Sequence, residues 1–195
     1  MTQKITKEQK KAMRITKKSI NILNNQKSNL FKKIVYETYQ KYCTIECLLN
    51  KLNKYKVINR TLDEYNYIKE EKMYLGGARY AIAEIYEDFC LVKNKEERNV
   101  GHFIHQMEKN CDYIGVMIDD HEQQLNMIKK YYTHMSMEGA KQSSRSNAEK
   151  FVTEYTQITT LLNRIIDIYP TIWNDTYSIV DMLEDYQSGV WKPTI

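Results

Sequence analysis

The sequence predicts an all-α fold, an elongated bundle of four to six helices carrying a basic N-terminal arm. Three observations support that expectation. Apolar side chains recur in a 4-3 alternation along four long stretches, the rhythm that lines one face of a helix and packs it against neighbours at a shallow angle. Glycine and proline are scarce, six and two among 195 residues, and the first proline is Pro170, so no locked φ interrupts the chain before it. No stretch combines strict two-residue alternation with turn chemistry, so strands are not indicated.

The chain divides into a basic arm over residues 1–28, a bundle over 29–188 and a tail over 189–195. Residues 1–33 hold ten basic side chains and one acid, Glu8, a net +9, which leaves −5 for the rest of a chain whose total is +4. Lys4, Lys7, Lys11, Arg14 and Lys18 keep a 3-4-3-4 spacing. Together with Lys10 and Lys17 they give a helical arm a cationic surface suited to nucleic acid or an acidic protein. Thr6 with Gln9 fits a capping box at its start.

The first bundle helix is read from Phe31, Val35, Thr38, Tyr42, Ile45, Leu49 and Leu52. After a loop expected at 56–60, Thr61 with Glu64 marks the next start, and Leu75, Ala78, Ile82, Ile85, Phe89 and Val92 form the buried face. Gly76 and Gly77 inside that run cost about 1 kcal/mol each relative to alanine, which predicts a break or kink there, or a second backbone close by. A loop at 93–97 leads to the most regular repeat, Val100, Ile104, Met107, Cys111, Ile114, Ile118, His121, Leu125, Ile128, Tyr132 and Met135. Phe103, Met117 and Tyr131 widen that seam beyond what a two-stranded coiled coil needs, which favours a bundle. Past a loop at 139–145, Ser146 with Glu149 caps a fourth helix, its face Phe151, Tyr155, Ile158, Leu162, Ile165 and Tyr169. The Tyr-Pro-Thr at 169–171 predicts a stop and a loop over 170–174. A shorter helix over 176–187 follows, capped by Asp175 and ended by Gly189.

Residues 101–124 gather three of the four histidines. On the repeat, His121 takes a seam position while His102 and His105 point outward, so the three do not converge. His102 and His105 share neighbouring faces with Glu108 and Asp112. A His-x-x-His pair ligates zinc or nickel when further donors join it, but alone it reads as a solvated polar face, and no metal is expected. A seam histidine is expected to be held by a carboxylate or tyrosine of a neighbouring helix. The Glu-x-x-His signature of di-iron bundles is missing, because Asn99, His102, Ile118 and Tyr131 stand three residues before the histidines. Cys43, Cys47, Cys90 and Cys111 form no Cys-x-x-Cys pair and read as small buried apolar residues in a reducing compartment. Asp119, Asp120 and Glu122 flank His121 in different helical directions, so they form no acid–base pocket. No phosphate loop, nucleophile elbow or zinc-protease motif is present, and neither enzyme activity nor a cofactor is expected.

The longest apolar run, residues 114–118, falls far short of the roughly 20 residues a bilayer span needs, so no membrane partner is expected. The implied location is the cytoplasm, that of a host cell, with incorporation into a virion. Sixteen tyrosines with frequent Lys, Asn and Ile are the bias of an AT-rich genome such as many phages carry. Long tyrosine-rich helices offer rigid contact area, which points to a non-enzymatic interaction or assembly protein, self-associating or bound to a protein partner, in a phage or mobile-element complex. In the tail, Trp191 and Ile195 are the candidate partner contacts. The alternatives are a small nucleic-acid-binding or regulatory protein that uses the basic arm, and an inhibitor that docks on a host protein through helix faces.

Overall fold

The protein is described by a computed structural model over residues 7–55, 67–92, 99–139 and 145–193. These residues form four helices and, among them, no strand. Helix α1 is Lys7–Leu52, α2 is Tyr67–Tyr86 continued by a π-helical turn Glu87–Leu91, α3 is Val100–Gly139 and α4 is Arg145–Gln187. They form a ring in which α1 packs on α2 and α4, and α3 packs on α4 and α2. Side-chain pairs fix both neighbours of α1 as antiparallel to it: Lys27 meets Asp185 and Tyr55 meets Gln157 between α1 and α4, while Phe31 meets Phe89 and Glu46 meets Arg79 between α1 and α2.

The 4-3 seams supply the core. All seven seam residues of α1 from Phe31 to Leu52 are buried, as are Leu75, Ala78, Ile82, Ile85 and Phe89 of α2. On α3, Met107, Ile114, His121 and Ile128 are fully enclosed. The base of the bundle is closed by one aromatic ring from each helix. Phe89 lies 5.7 Å from Phe31, 6.1 Å from Phe103 and 5.2 Å from Tyr186, all in edge-on arrangements that suit the ring quadrupoles. The π-helical turn serves this cluster. Val92 N–H donates to Glu87 C=O at 3.1 Å, and the extra residue turns both Phe89 and Cys90 inward while Leu91 stays exposed.

Several elements differ from the sequence expectation. Helix α2 passes through Gly76 and Gly77 without a break, and a Cβ added at either would meet nothing within 4 Å, so no second backbone comes close. The glycine cost is simply carried by a helix packed on both sides. Helix α4 likewise passes through Pro170, so the loop at 170–174 and the separate helix at 176–187 do not form. Pro170 is exposed, which leaves the carbonyl it deprives of a partner open to water, and the buried series Tyr169, Ile172, Thr176, Ile179 and Leu183 carries the helix across it. Asp175 is no cap; it sits in mid-helix and accepts from Lys41 Nζ at 2.6 Å and Thr38 Oγ1 at 3.1 Å. Arg145 is already helical, so Ser146 lies in the first turn of α4 and not at its cap. The expected boxes at Thr6 and at Thr61 with Glu64, and the loops at 56–60 and 93–97, lie outside the described residues, as does 140–144 of the third connection.

Gly189 does end α4 as expected, with φ +76, a backbone region L side chains rarely adopt. Its N–H donates to Tyr186 C=O at 3.1 Å, and Trp191 N–H reaches Asp185 C=O at 3.0 Å, folding the tail under the base. Because the helix around Gly77 is open to solvent and otherwise regular, Gly77→Ala is expected to raise the unfolding free energy by about 1 kcal/mol in urea titration; a loss of stability would show that the glycine serves a conformation other than this helix.

Candidate functional site

The most concentrated polar chemistry is buried. His121 of α3 lies 2.7 Å through Nε2 from Glu71 Oε1 of α2, and Tyr169 of α4 donates its hydroxyl to the same oxygen at 2.5 Å. All three are at most 1% exposed. The sequence places His121 and Tyr169 on seams and expects a carboxylate or tyrosine partner for the histidine; the structure provides the carboxylate, and the tyrosine bonds that same carboxylate. Glu71 was missed, although the α2 seam extended one step upstream from Leu75 lands on it. A carboxyl group removed from water is tolerable only with hydrogen-bond partners of this kind around it. The arrangement is a structural cross-link of three helices, with one shared oxygen as its centre.

The other sequence-singled histidines are apart from it. His102 and His105 are exposed, and His102 N–H donates to Asn99 Oδ1 at 3.2 Å in the first turn of α3. Among the described residues no group of three His, Cys, Asp or Glu side chains is placed to hold a metal ion, and no described helix is long and apolar enough to cross a membrane. An open groove where the end of α1 meets α4 is lined by Lys54, Tyr55, Glu154 and Gln157, a mixed polar surface that includes neither imidazole nor thiol.

Trp191 is a core residue. It is 1% exposed, its ring 5.2 Å from Phe31 and 6.4 Å from Tyr186, with the Lys27 ammonium over its face. The tail anchor expected from the sequence is therefore closed into the chain's own base, because the Gly189 turn sends the chain back under the bundle. Ile195 and Lys4 lie outside the described residues.

The surface that remains is the N-terminal part of α1. The helix runs unbroken through residues 28 and 29, where the sequence sets the boundary between arm and bundle; what changes there is burial. Ser28 and Phe31 are buried, whereas nearly every side chain from Met13 to Gln26 is exposed. Lys7, Lys10 and Lys11 belong to the same helix, and Arg14, Lys17 and Lys18 are exposed. So are Met13, Ile15, Ile20, Ile22 and Leu23, between 48% and 63% exposed. A second exposed apolar feature lies on α4, where Trp173 and Tyr177, one turn apart, bring their rings to 6.0 Å. Asp175, on the opposite flank of α4, meets Lys41 of α1, which places this pair on the side of α4 toward α3. No family model, curated protein or solved structure matches this chain.

Two measurements check this account. Removing one member of the buried cross-link, as in Glu71→Leu or His121→Leu, is expected to cost about 3–5 kcal/mol because the remaining polar groups stay buried without partners. The triple replacement Glu71→Leu, His121→Leu, Tyr169→Phe is expected to cost far less than the sum of the singles; additive losses in urea titration would show that the three do not act as a unit. The second concerns pH. Burial pushes the thiols of Cys90 and Cys111 from 9.0 up to about 11, opposed by Lys32 at Cys90, and at Cys111 reinforced by Asp112 and Glu108 and opposed by the Trp173 hydrogen bond. Burial likewise raises Tyr42, Tyr74 and Tyr132. The folded state thus holds protons that the unfolded chain releases first. The stability these groups contribute is complete below pH 9 and is lost as pH rises, through about 11 for the thiols and higher for the phenols. The urea midpoint is expected to fall across that range, and to fall less in Cys90→Ala, Cys111→Ala; a flat profile would contradict the burial of these groups.

Proposed function

We propose that the protein is a non-enzymatic helical assembly protein whose projecting N-terminal helix associates with a second protein surface. One observation supports this reading most directly: the segment of α1 beyond the bundle presents five apolar side chains to solvent on a helix without described tertiary packing. A lone helix of this length is marginal in water even with good propensity, and apolar residues at such exposure add a solvation cost that a docking partner removes. The length of the bundle, the tyrosine-rich faces and the closed polar core fit a scaffold better than a catalyst. The composition fits a component of a phage or mobile-element complex.

A second reading is favoured by the exposed Arg14, Lys17 and Lys18 within a segment of net +9, which suits phosphate backbones. Deleting residues 1–26 separates the two. Under the assembly reading, light scattering is expected to show association of the full chain and a monomer after deletion, with the helical melt of the bundle unchanged. Under the nucleic-acid reading, the full chain binds duplex DNA with a steep salt dependence that the deletion abolishes, and its oligomeric state does not change. A full chain that stays monomeric and ignores DNA would dispose of both.

A further inference from the structure

The exposed helical arm is matched by a surface on the body of the same protein. On α3, Glu108, Asp112, Asp119 and Glu122 are exposed, follow one another at helical spacing on one flank, and pair with no basic side chain among the described residues. Asn110 and Tyr113 meet Tyr74 of α2, so the opposite flank of α3, which carries Glu108 and Asp112, is the one turned toward α4. Across the seam stand the exposed rings of Trp173 and Tyr177, continued along α4 by the exposed Asp181 and Glu184. The surface is thus an aromatic strip with carboxylates on both walls. Charge is one-sided here: residues 108–122 hold five acids and one lysine, and residues 165–187 hold five acids and no base, of which, among the described residues, only Asp175 and Asp185 are paired, with Lys41 and Lys27 of α1.

We infer that this groove between α3 and α4 receives the N-terminal helix of a second copy of the chain, in a reciprocal exchange of arms; the inference rests on the assembly reading above. Complementarity of charge is the first reason. The arm carries a net +9 over residues 1–33, and Arg14, Lys18 and Ile22 succeed one another at one-turn steps with Ile15 beside them, a mixed cationic and apolar face for an acidic and aromatic groove. Like charges at Glu108 with Asp112 and at Asp119 with Glu122 repel at one-turn spacing, and arriving cations relieve that repulsion.

Length is the second reason. The arm over residues 7–26 is about 30 Å long, and α3 from Phe103 at the base to Glu122 is about 28 Å. Connectivity is the third. Because α1 is one continuous helix, the arm leads away from its own body and does not reach its own α3–α4 groove without breaking. In a twofold pair each arm extends past its own base and lies along the lower half of the other body.

Reversing charge tests the exchange. Arg14→Glu with Lys17→Glu and Lys18→Glu makes an acidic arm; Asp112→Lys with Asp119→Lys and Glu122→Lys makes a basic groove. All six positions are exposed, so circular dichroism is expected to show both variants folded. Each alone is expected to lose self-association by at least about a hundredfold in sedimentation equilibrium. Mixed together, they restore a heterodimer, since each then offers the sign the other lacks. Association lost on deletion of residues 1–26 but not restored in the mixture overturns the groove while leaving the assembly reading standing. Unchanged association in either variant also overturns the groove, and a monomeric wild-type chain overturns both.

Discussion

The fold depends on one carboxylate. A 4-3 apolar repeat is satisfied almost equally well after a slip of seven residues, because one set of aliphatic side chains replaces another along the same seam. Glu71 removes that freedom. If α3 slipped by a heptad, Ile114 or Ile128 would stand where His121 does, and a buried carboxylate would face methyl groups in place of a donor, a penalty of several kcal/mol. A slip of α4 would withdraw Tyr169 in the same way. The cross-link therefore selects a register by making the alternatives expensive, as a single polar residue at a seam position does in coiled coils. The aromatic base repeats the selection at the other end, since only one alignment brings Phe31, Phe89, Phe103 and Tyr186 to a common level.

Against this background the legible and illegible parts of the sequence separate cleanly. The seams were legible because core packing imposes its period on every turn: each residue read on the α1 seam from Phe31 to Leu52 is buried. The helix through Pro170 was equally legible in principle, for the 4-3 spacing continues as Tyr169, Ile172, Thr176, Ile179, Leu183 and Tyr186. A local rule about proline was allowed to outweigh a long-range pattern, yet Pro170 sits on the solvent side, where its missing N–H deprives only a carbonyl that water can reach. Gly76 and Gly77 misled for the same reason. Intrinsic helix cost is about 1 kcal/mol per glycine, which burial of Leu75, Ala78 and Ile82 on the same helix exceeds. Tertiary packing won in both places.

For the polar site, the period located His121 but not its partner, since nothing in a linear pattern says which helix lies opposite. Glu71 became visible only as an upstream extension of the α2 seam. The tail misled differently. An indole followed by Lys-Pro looks like a free anchor, and only the left-handed residue Gly189, two positions before it, carries the information that the chain turns back. The acidic and aromatic face along α3 and α4 had no linear signature, because it comes from two helices whose flanks are defined by their neighbours.

Segregated charge gives the surface its logic. A chain with +9 at one end and a net-negative remainder would, if flexible, neutralise itself by folding the end onto the body. Here α1 is a single rod whose first part is propagated from a packed second part, so intramolecular neutralisation would require breaking the helix. In the proposed exchange of arms that attraction acts between molecules. In a reciprocal pair, docking of one arm brings the second arm to its groove as an intramolecular step, so two modest, salt-sensitive contacts act as one cooperative contact. Under the proposed exchange, rigidity in α1 is what makes a monomer with opposite charges at a distance into a unit that completes itself only in a pair.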